Sequence, residues 1–363
     1  MRPPGELRDP ELLRRLAKQL KGMAAPPATL MEVCGTHTVA IARHGLREAL
    51  PAGVSLISGP GCPVCVTPQD QVDLFIALGE QEGVRLATFG DMVRVPGTET
   101  SLEQARAEGA EILVVYSPMD AVEAAGREPE RDVVFFGIGF ETTAPAVALA
   151  ILEARRRGLR NFSVLCAHKL IPPAMMALLE SEVAIDGFIC PGHVSAIIGS
   201  EAYRPVAERG KPCVVTGFEP ADVLGGVRML LRQIAEGRSE VEVEYRRAVR
   251  REGNVKAQEM LGEVFRVTDA RWRGLGTIPA SGYELAKEFG EFDAARRFEI
   301  EVPEGAEPAG CRCGDVLRGA IEPRECPLFG KACTPRTPVG ACMVSSEGAC
   351  QAYFRYRTGE DAE

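Results

Sequence analysis

Val133-Val-Phe-Phe-Gly-Ile-Gly-Phe-Glu-Thr-Thr-Ala-Pro145, running on through Leu149 and Ile151 to Arg157 and then to Ser163-Val-Leu165, is the stretch on which the fold turns. Residues 133–138 form an apolar, β-branched and aromatic run of strand length. Residues 145–157 open with a proline and close in Arg155-Arg-Arg157, the signature of a helix start and stop. Residues 163–165 return to strand character. Strand, Gly-rich turn, helix and strand in this order predict a parallel βαβ unit with covered faces. The turn, Phe136-Gly-Ile-Gly-Phe-Glu-Thr-Thr143, lacks the third glycine of a dinucleotide fingerprint and the lysine of a P-loop. It reads as a tight turn that brings backbone close to a cleft.

Outward from this unit the same alternation continues. Further strands are expected at 29–33, 54–57, 84–88, 112–116, 187–189 and 213–216, with helical segments at 69–78, 101–108, 174–180 and 221–235. Ser101-Leu-Glu-Gln104 is a capping-box sequence for the second of these helices. The fold class is therefore α/β. Cys34-Gly-Thr-His37 and Cys190-Pro-Gly-His193 follow strands 156 residues apart, and Ile57-Ser-Gly59 has an echo in Val215-Thr-Gly217. These repeats suggest two duplicated Rossmann-like, doubly wound lobes. The expected domains are 1–119, carrying Cys34 and Cys62/Cys65; 120–238, the second lobe; and 239–363, an α-rich or irregular domain. Within 239–363 a helix at 255–265 and a charged linker at 299–308 are legible.

The bulk numbers narrow the class. The net charge of −9 and the dispersed basic residues disfavour nucleic-acid binding. The longest apolar stretch, 144–152, is too short to span a bilayer, and the first six residues carry no apolar leader segment. A cytoplasmic protein is expected, in which cysteines stay reduced unless they bind metal or carry electrons.

Twelve cysteines are present, and six of them, Cys311, Cys313, Cys326, Cys333, Cys342 and Cys350, crowd the last 53 residues. Four thiolates hold either zinc or an iron–sulfur cluster. No pair of C-x-x-C knuckles exists there, whereas 14, 6 and 16 residues separate Cys311, Cys326, Cys333 and Cys350, which suits a larger cluster. Zinc and plain disulfides remain the other readings. Cys34-Gly-Thr-His-Thr38 sits where a strand ends and a helix begins, so the helix dipole should ease loss of the Cys34 proton, with His37 three residues on. The bland alternative is a buried cysteine and a satisfied histidine, as Cys166 and Cys190 suggest. Gly59-Pro-Gly-Cys62-Pro-Val-Cys65 is a C-x-x-C after a strand, which reads as a thiol/disulfide couple. Half of a zinc site, completed by Cys34 and His37, is the competing idea.

Together these motifs resemble the HypD family of hydrogenase maturation factors, over nearly the whole chain. The resemblance is carried by Cys34-Gly-Thr-His, Gly59-Pro-Gly-Cys-Pro-Val-Cys65, Gly139-Phe-Glu-Thr-Thr-Ala-Pro145, Cys190-Pro-Gly-His-Val-Ser195, Thr216-Gly-Phe-Glu-Pro220, Trp272-Arg-Gly-Leu-Gly276, Glu325-Cys-Pro-Leu-Phe-Gly330 and Met343-Val-Ser-Ser-Glu-Gly-Ala-Cys350. It implies a scaffold with redox activity for assembly of the Fe(CN)2CO unit of [NiFe] hydrogenases. The implied partners are HypC, bound stably, and HypE, a transient cyanide donor. By the family pattern Cys34 holds the nascent iron, Cys62 and Cys65 form the redox dithiol, Cys311, Cys326, Cys333 and Cys350 ligate a [4Fe–4S] cluster, and Cys313 and Cys342 pair as a disulfide. An iron–sulfur disulfide reductase acting through Cys62/Cys65 explains the cluster and the dithiol but leaves Cys34 and His37 idle. A zinc-stapled binding module is the third possibility.

Overall fold

The structure, a computed structural model, describes residues 7–356 apart from 304 and 306. The opening hexapeptide and those two positions of the 299–308 linker lie outside the described residues. Eleven described strands run in chain order: β1 Ala28–Glu32, β2 Val54–Ser58, β3 Val84–Thr88, β4 Glu111–Val114, β5 Asp132–Gly137, β6 Phe162–Cys166, β7 Gly187–Pro191, β8 Cys213–Thr216, β9 Val241–Val243, β10 Phe265–Trp272 and β11 Gly276–Leu285. Two parallel sheets result, β2-β1-β7-β8-β9 and β4-β3-β5-β6, and β10-β11 is an antiparallel hairpin. This is the expected α/β architecture of two Rossmann-like lobes with a cysteine-rich C-terminal region. Among the described residues no helix is long and apolar enough to cross a membrane.

The glycine-turn stretch behaves as read. β5 leads through the turn into a helix, Ala144–Arg156, and back to β6 alongside β5. The helix is apolar toward the sheet because Ala144, Val147, Ala148, Ile151 and Ala154 recur at helical spacing and are fully buried. Gly139 takes φ +142°, and its carbonyl accepts from Lys169 N at 2.9 Å. The turn thus fastens the ends of β5 and β6 together. Ser101 caps its helix by accepting from Gln104 N at 3.3 Å.

The lobes are not consecutive in the chain, which corrects the expected boundaries. β1 and β2 pair with β7, β8 and β9, so the first sheet is interrupted by the whole of the second. A division at 119/120 cuts across both sheets, and one at 238/239 strips β9 from β8. The two halves of the sequence echo also fall in one sheet: Cys34 follows β1 and Cys190 lies in β7, its neighbour. The echo marks repeated strand–turn chemistry at one sheet edge, with β2 and β8 flanking that pair. Residues 239–363 contain a hairpin, β10-β11, where the sequence reading has no strands, because glycines at 274, 276 and 282 read as loop.

A single apolar core joins the lobes and the tail. Met31 and Val33 of the first lobe, Val134 and Phe136 of the second, and Val316, Leu317 and Met343 of the tail belong to one buried cluster. Phe75, on the helix Gln69–Leu78, stacks on Phe136 at 4.4 Å between ring centroids. The hairpin crosses this junction. Leu170 N donates to Ser281 O at 2.8 Å on the second lobe, and Arg273 N donates to Val66 O at 2.9 Å on the first.

Candidate functional site

The carboxyl ends of β1 and β2 meet where open α/β sheets place ligands. Cys34 follows β1 and is the N-cap of the helix Gly35–Arg43. Gly35 N donates to Gly61 O at 2.9 Å, and a Cβ on Gly61 would stand 2.1 Å from Cys34 N. The two cysteine loops therefore touch backbone to backbone, and only glycine permits the contact. Cys34 N donates to Glu32 Oε2 at 3.0 Å, and Thr38 Oγ1 donates to Glu32 Oε1 at 2.5 Å. Burial pushes the Glu32 carboxyl up to about 7.

The Cys34 thiol departs from the sequence expectation. Burial, reinforced by the charges of Glu347 and Glu32, pushes it up to about 12, against the opposing amides of His37 and Thr36. The helix terminus is present, but desolvation outweighs it. A buried neutral thiol yields its proton to a metal or a base, not to water.

Cys62 and Cys65 are joined as a disulfide across the short helix Pro63–Val66, with 5.2 Å between their Cα atoms. Both are buried. His37 is oriented elsewhere. Its Nε2 lies 2.9 Å from Gly217 O, an acceptor only, so this nitrogen carries the proton and shares it with Thr216 Oγ1 at 2.8 Å. Nδ1 is buried without a partner, and burial lowers the imidazole to about 4. The ring stacks on Phe218 at 4.7 Å, and exposed His193 lies over the same phenyl at 3.9 Å. His37 and His193 thus share the first sheet's edge with Cys34. Cys166 and His168 sit apart at the end of β6, with Cys166 Sγ donating to Tyr283 O at 3.2 Å. Cys190 is buried beside Cys213 between β7 and β8.

The six tail cysteines, spread along the chain from Cys311 to Cys350, converge on one small pocket. Five of the six are buried and Cys311 is half-buried. Cys313 Sγ and Cys342 Sγ stand 2.9 Å apart, and Val339 N donates to Cys333 Sγ at 3.4 Å. A Cβ on Gly340 would lie 2.7 Å from Cys311 Sγ, so glycine is what lets the Cys311 segment close the ring. Among the described residues no three His, Cys, Asp or Glu side chains close on a single point as a cage for one ion.

Two side chains that spacing alone does not single out tie the tail to the lobes. Glu347 Oε1 accepts from Thr36 Oγ1 at 2.6 Å, and a Cβ on Gly35 would stand 2.5 Å from Glu347 Cβ. Arg273 is buried, with Nε donating to Thr67 O and Nη1 to Gln69 Oε1, both at 2.8 Å. Each lies inside a quoted motif, Met343-Val-Ser-Ser-Glu-Gly-Ala-Cys350 and Trp272-Arg-Gly-Leu-Gly276, but no periodicity marks it as functional. The helices Cys313–Leu317 and Ala341–Val344 both pack on Pro63–Val66, so the tail pocket backs directly onto the Cys62/Cys65 helix.

Known proteins are similar to this chain over nearly its full length. The HypD family model, described as "Hydrogenase formation hypA family", matches residues 11–357. The hydrogenase maturation factor HypD of Azotobacter vinelandii is 50% identical over 362 residues, covering 97% of this chain and 96% of the relative. The HypD of Escherichia coli (strain K12) is 46% identical over 353 residues, covering 96% and 95%. With the family model matching nearly end to end and relatives near half identity, the chain belongs to the HypD family of hydrogenase maturation factors.

Proposed function

We propose that this protein is a cytoplasmic scaffold and redox partner for assembly of the Fe(CN)2CO unit of [NiFe] hydrogenases, working with HypC and HypE. The observation that carries this reading is the contiguity of three thiol groups. The Cys34 loop touches the Cys62/Cys65 loop through Gly61, and the Cys62/Cys65 helix packs against the helices that bear Cys313 and Cys342.

Cys34 suits the iron being assembled, which is substrate here. Iron carrying cyanide and CO needs a soft anionic anchor, and the thiolate is the available one. The buried site keeps water from that sulfur until a partner's cysteine completes it. Six thiols around one pocket fit a [4Fe–4S] cluster held by Cys311, Cys326, Cys333 and Cys350, with Cys313 and Cys342 as an adjacent pair. Such a cluster supplies single electrons when bound.

The Cys62/Cys65 pair supplies two. In its dithiol form, one thiolate and one thiol convert a partner's thiocyanate to a thiol and free cyanide, and the pair closes to the disulfide. Forming the S–S bond releases the two electrons, and the thiol proton passes to the partner's sulfur. His37, neutral and fixed by Thr216 and Gly217, orients the first turn after Cys34.

Infrared spectroscopy of the chain purified anaerobically with its HypC partner tests the reading. Bands of metal-bound cyanide and CO are expected in the wild type and absent in Cys34→Ala. A brown wild-type complex without such bands would favour the disulfide reductase instead.

A further inference from the structure

The turn of the β10-β11 hairpin touches the segments that carry both thiol pairs. On one side Arg273 ties the end of the Cys62–Cys65 helix to the start of the helix Gln69–Leu78 at three points. Its backbone N–H donates to Val66 O at 2.9 Å, Nε to Thr67 O at 2.8 Å and Nη1 to Gln69 Oε1 at 2.8 Å. On the other side Gly274, at φ +75°, lies against Gly314, the residue after Cys313. A Cβ on Gly274 would stand 2.2 Å from Gly314 Cα, and Arg318 Nη1 donates to Gly274 O at 2.8 Å.

Arg273 is 4% exposed and has no carboxylate partner among the described residues, and its Nη2 is buried without a hydrogen bond. Burying a guanidinium without a counter-ion is costly, and a loop that needed only tying down could use a neutral side chain. The planar fork instead reaches two acceptors, Thr67 O and Gln69 Oε1, just beyond the Cys62–Cys65 helix.

We propose that Arg273 is a positioning residue for electron transfer between the two thiol pairs, holding the Cys62–Cys65 helix in register with Cys313 and Cys342. The inference rests on the redox roles proposed above and adds a disulfide exchange, a relay, between the two pairs. A thiolate of the reduced tail pair attacks one sulfur of the Cys62–Cys65 disulfide, and the other sulfur leaves as thiolate. The second tail sulfur then displaces the mixed disulfide. The tail pair ends as disulfide and Cys62/Cys65 as dithiol, so two electrons move and no further reagent is consumed. Both pairs are nearly fully buried, Cys62 and Cys65 at 3% and 0% exposed and Cys313 and Cys342 at 5% and 1%, so the order in which they open, not burial, reports the internal route.

The test uses the full chain with both pairs oxidised, a small dithiol reductant, acid quenching and differential alkylation read by mass spectrometry. In wild type the tail pair opens first and Cys62–Cys65 follows. In Arg273→Gln the tail pair is expected to open at the wild-type rate while Cys62–Cys65 lags roughly tenfold, the scale of a small misplacement of reacting groups. Arg273→Lys keeps the charge but loses the fork, and the same lag is expected. Should the arginine variants fail to fold, Gln69→Leu removes one grip alone, with a smaller lag expected. If Cys62–Cys65 keeps pace in these variants, or both pairs slow together, the positioning role is overturned. A Cys313→Ser, Cys342→Ser variant separates the two ideas: Cys62–Cys65 opening there at the wild-type rate overturns the relay itself.

Discussion

At Cys34 two effects of known sign oppose each other. The helix N-terminus favours the thiolate, and burial beside two carboxyl groups favours the thiol; burial wins. Glycine decides how close the second cysteine loop comes. Gly61→Ala would drive a Cβ into the Cys34 backbone, with no flexible side chain able to yield. A loss of about 3–5 kcal/mol or local rearrangement of the Cys34 loop is expected, measured by urea denaturation. Glu141 offers a cleaner titration, away from the thiols. It is buried, accepts from Ile171 N at 3.0 Å, and burial raises its carboxyl to about 8. The folded state therefore keeps a proton that the unfolded chain releases near pH 4.5, so this group makes stability fall as pH rises toward 8. Glu141→Gln should remove that dependence. The melting temperature of the variant relative to wild type is expected to climb between pH 5 and 8, and a constant difference would contradict the buried acid.

Among the elements, the hairpin β10-β11 does the joining. Trp272 is buried, stacks with Phe140 at 6.1 Å and donates from Nε1 to Ser281 Oγ at 2.8 Å. Ser281 Oγ in turn donates to Ile278 O at 2.7 Å, so the indole fixes the closed end of the hairpin. Trp272→Phe keeps most of the apolar surface and deletes the hydrogen bond. A cost of about 1–2 kcal/mol is expected in chemical denaturation, with faster hydrogen exchange at Leu170 N, which donates to Ser281 O. Strand and helix periods make the elements of the two lobes legible: the helix Gln69–Leu78 and the strands β3 and β8 fall where apolar spacing puts them. The hairpin is not legible, because burial along β11 follows no two-residue alternation even in the folded chain, and its glycines read as loop.

Across the whole molecule the first sheet is closed by strands far apart in sequence. Residues 1–119 hold β1 and β2 of one sheet with β3 and β4 of the other, and leave both without their central partners β7 and β5. That fragment is expected to show no cooperative thermal transition and little α/β signal in far-UV circular dichroism. A cooperative melt would mean that a lobe can close without β7. Packing gives the same reason: the first lobe's own cluster joins Leu30 and Leu56 to Ile189, Val214 and Leu230, and a second cluster runs from Met31 through Phe136 to Met343, so residues 1–119 lack much of either interior.

The α/β class, the place of Cys34 and Cys62/Cys65 at strand ends, and the family are all readable from the chain alone, because strand and helix periods and short cysteine motifs are local properties. Which strands share a sheet is not, since pairing of β1 with β7 is a contact between distant segments that leaves no local trace. The protonation of Cys34 waits on folding for the same reason, as it depends first on burial and then on Glu347 arriving from the far end of the chain. So do the gathering of six tail cysteines on one pocket and the arginine at the end of the Cys62–Cys65 helix: burial and proximity are set by packing, which no spacing in the chain encodes.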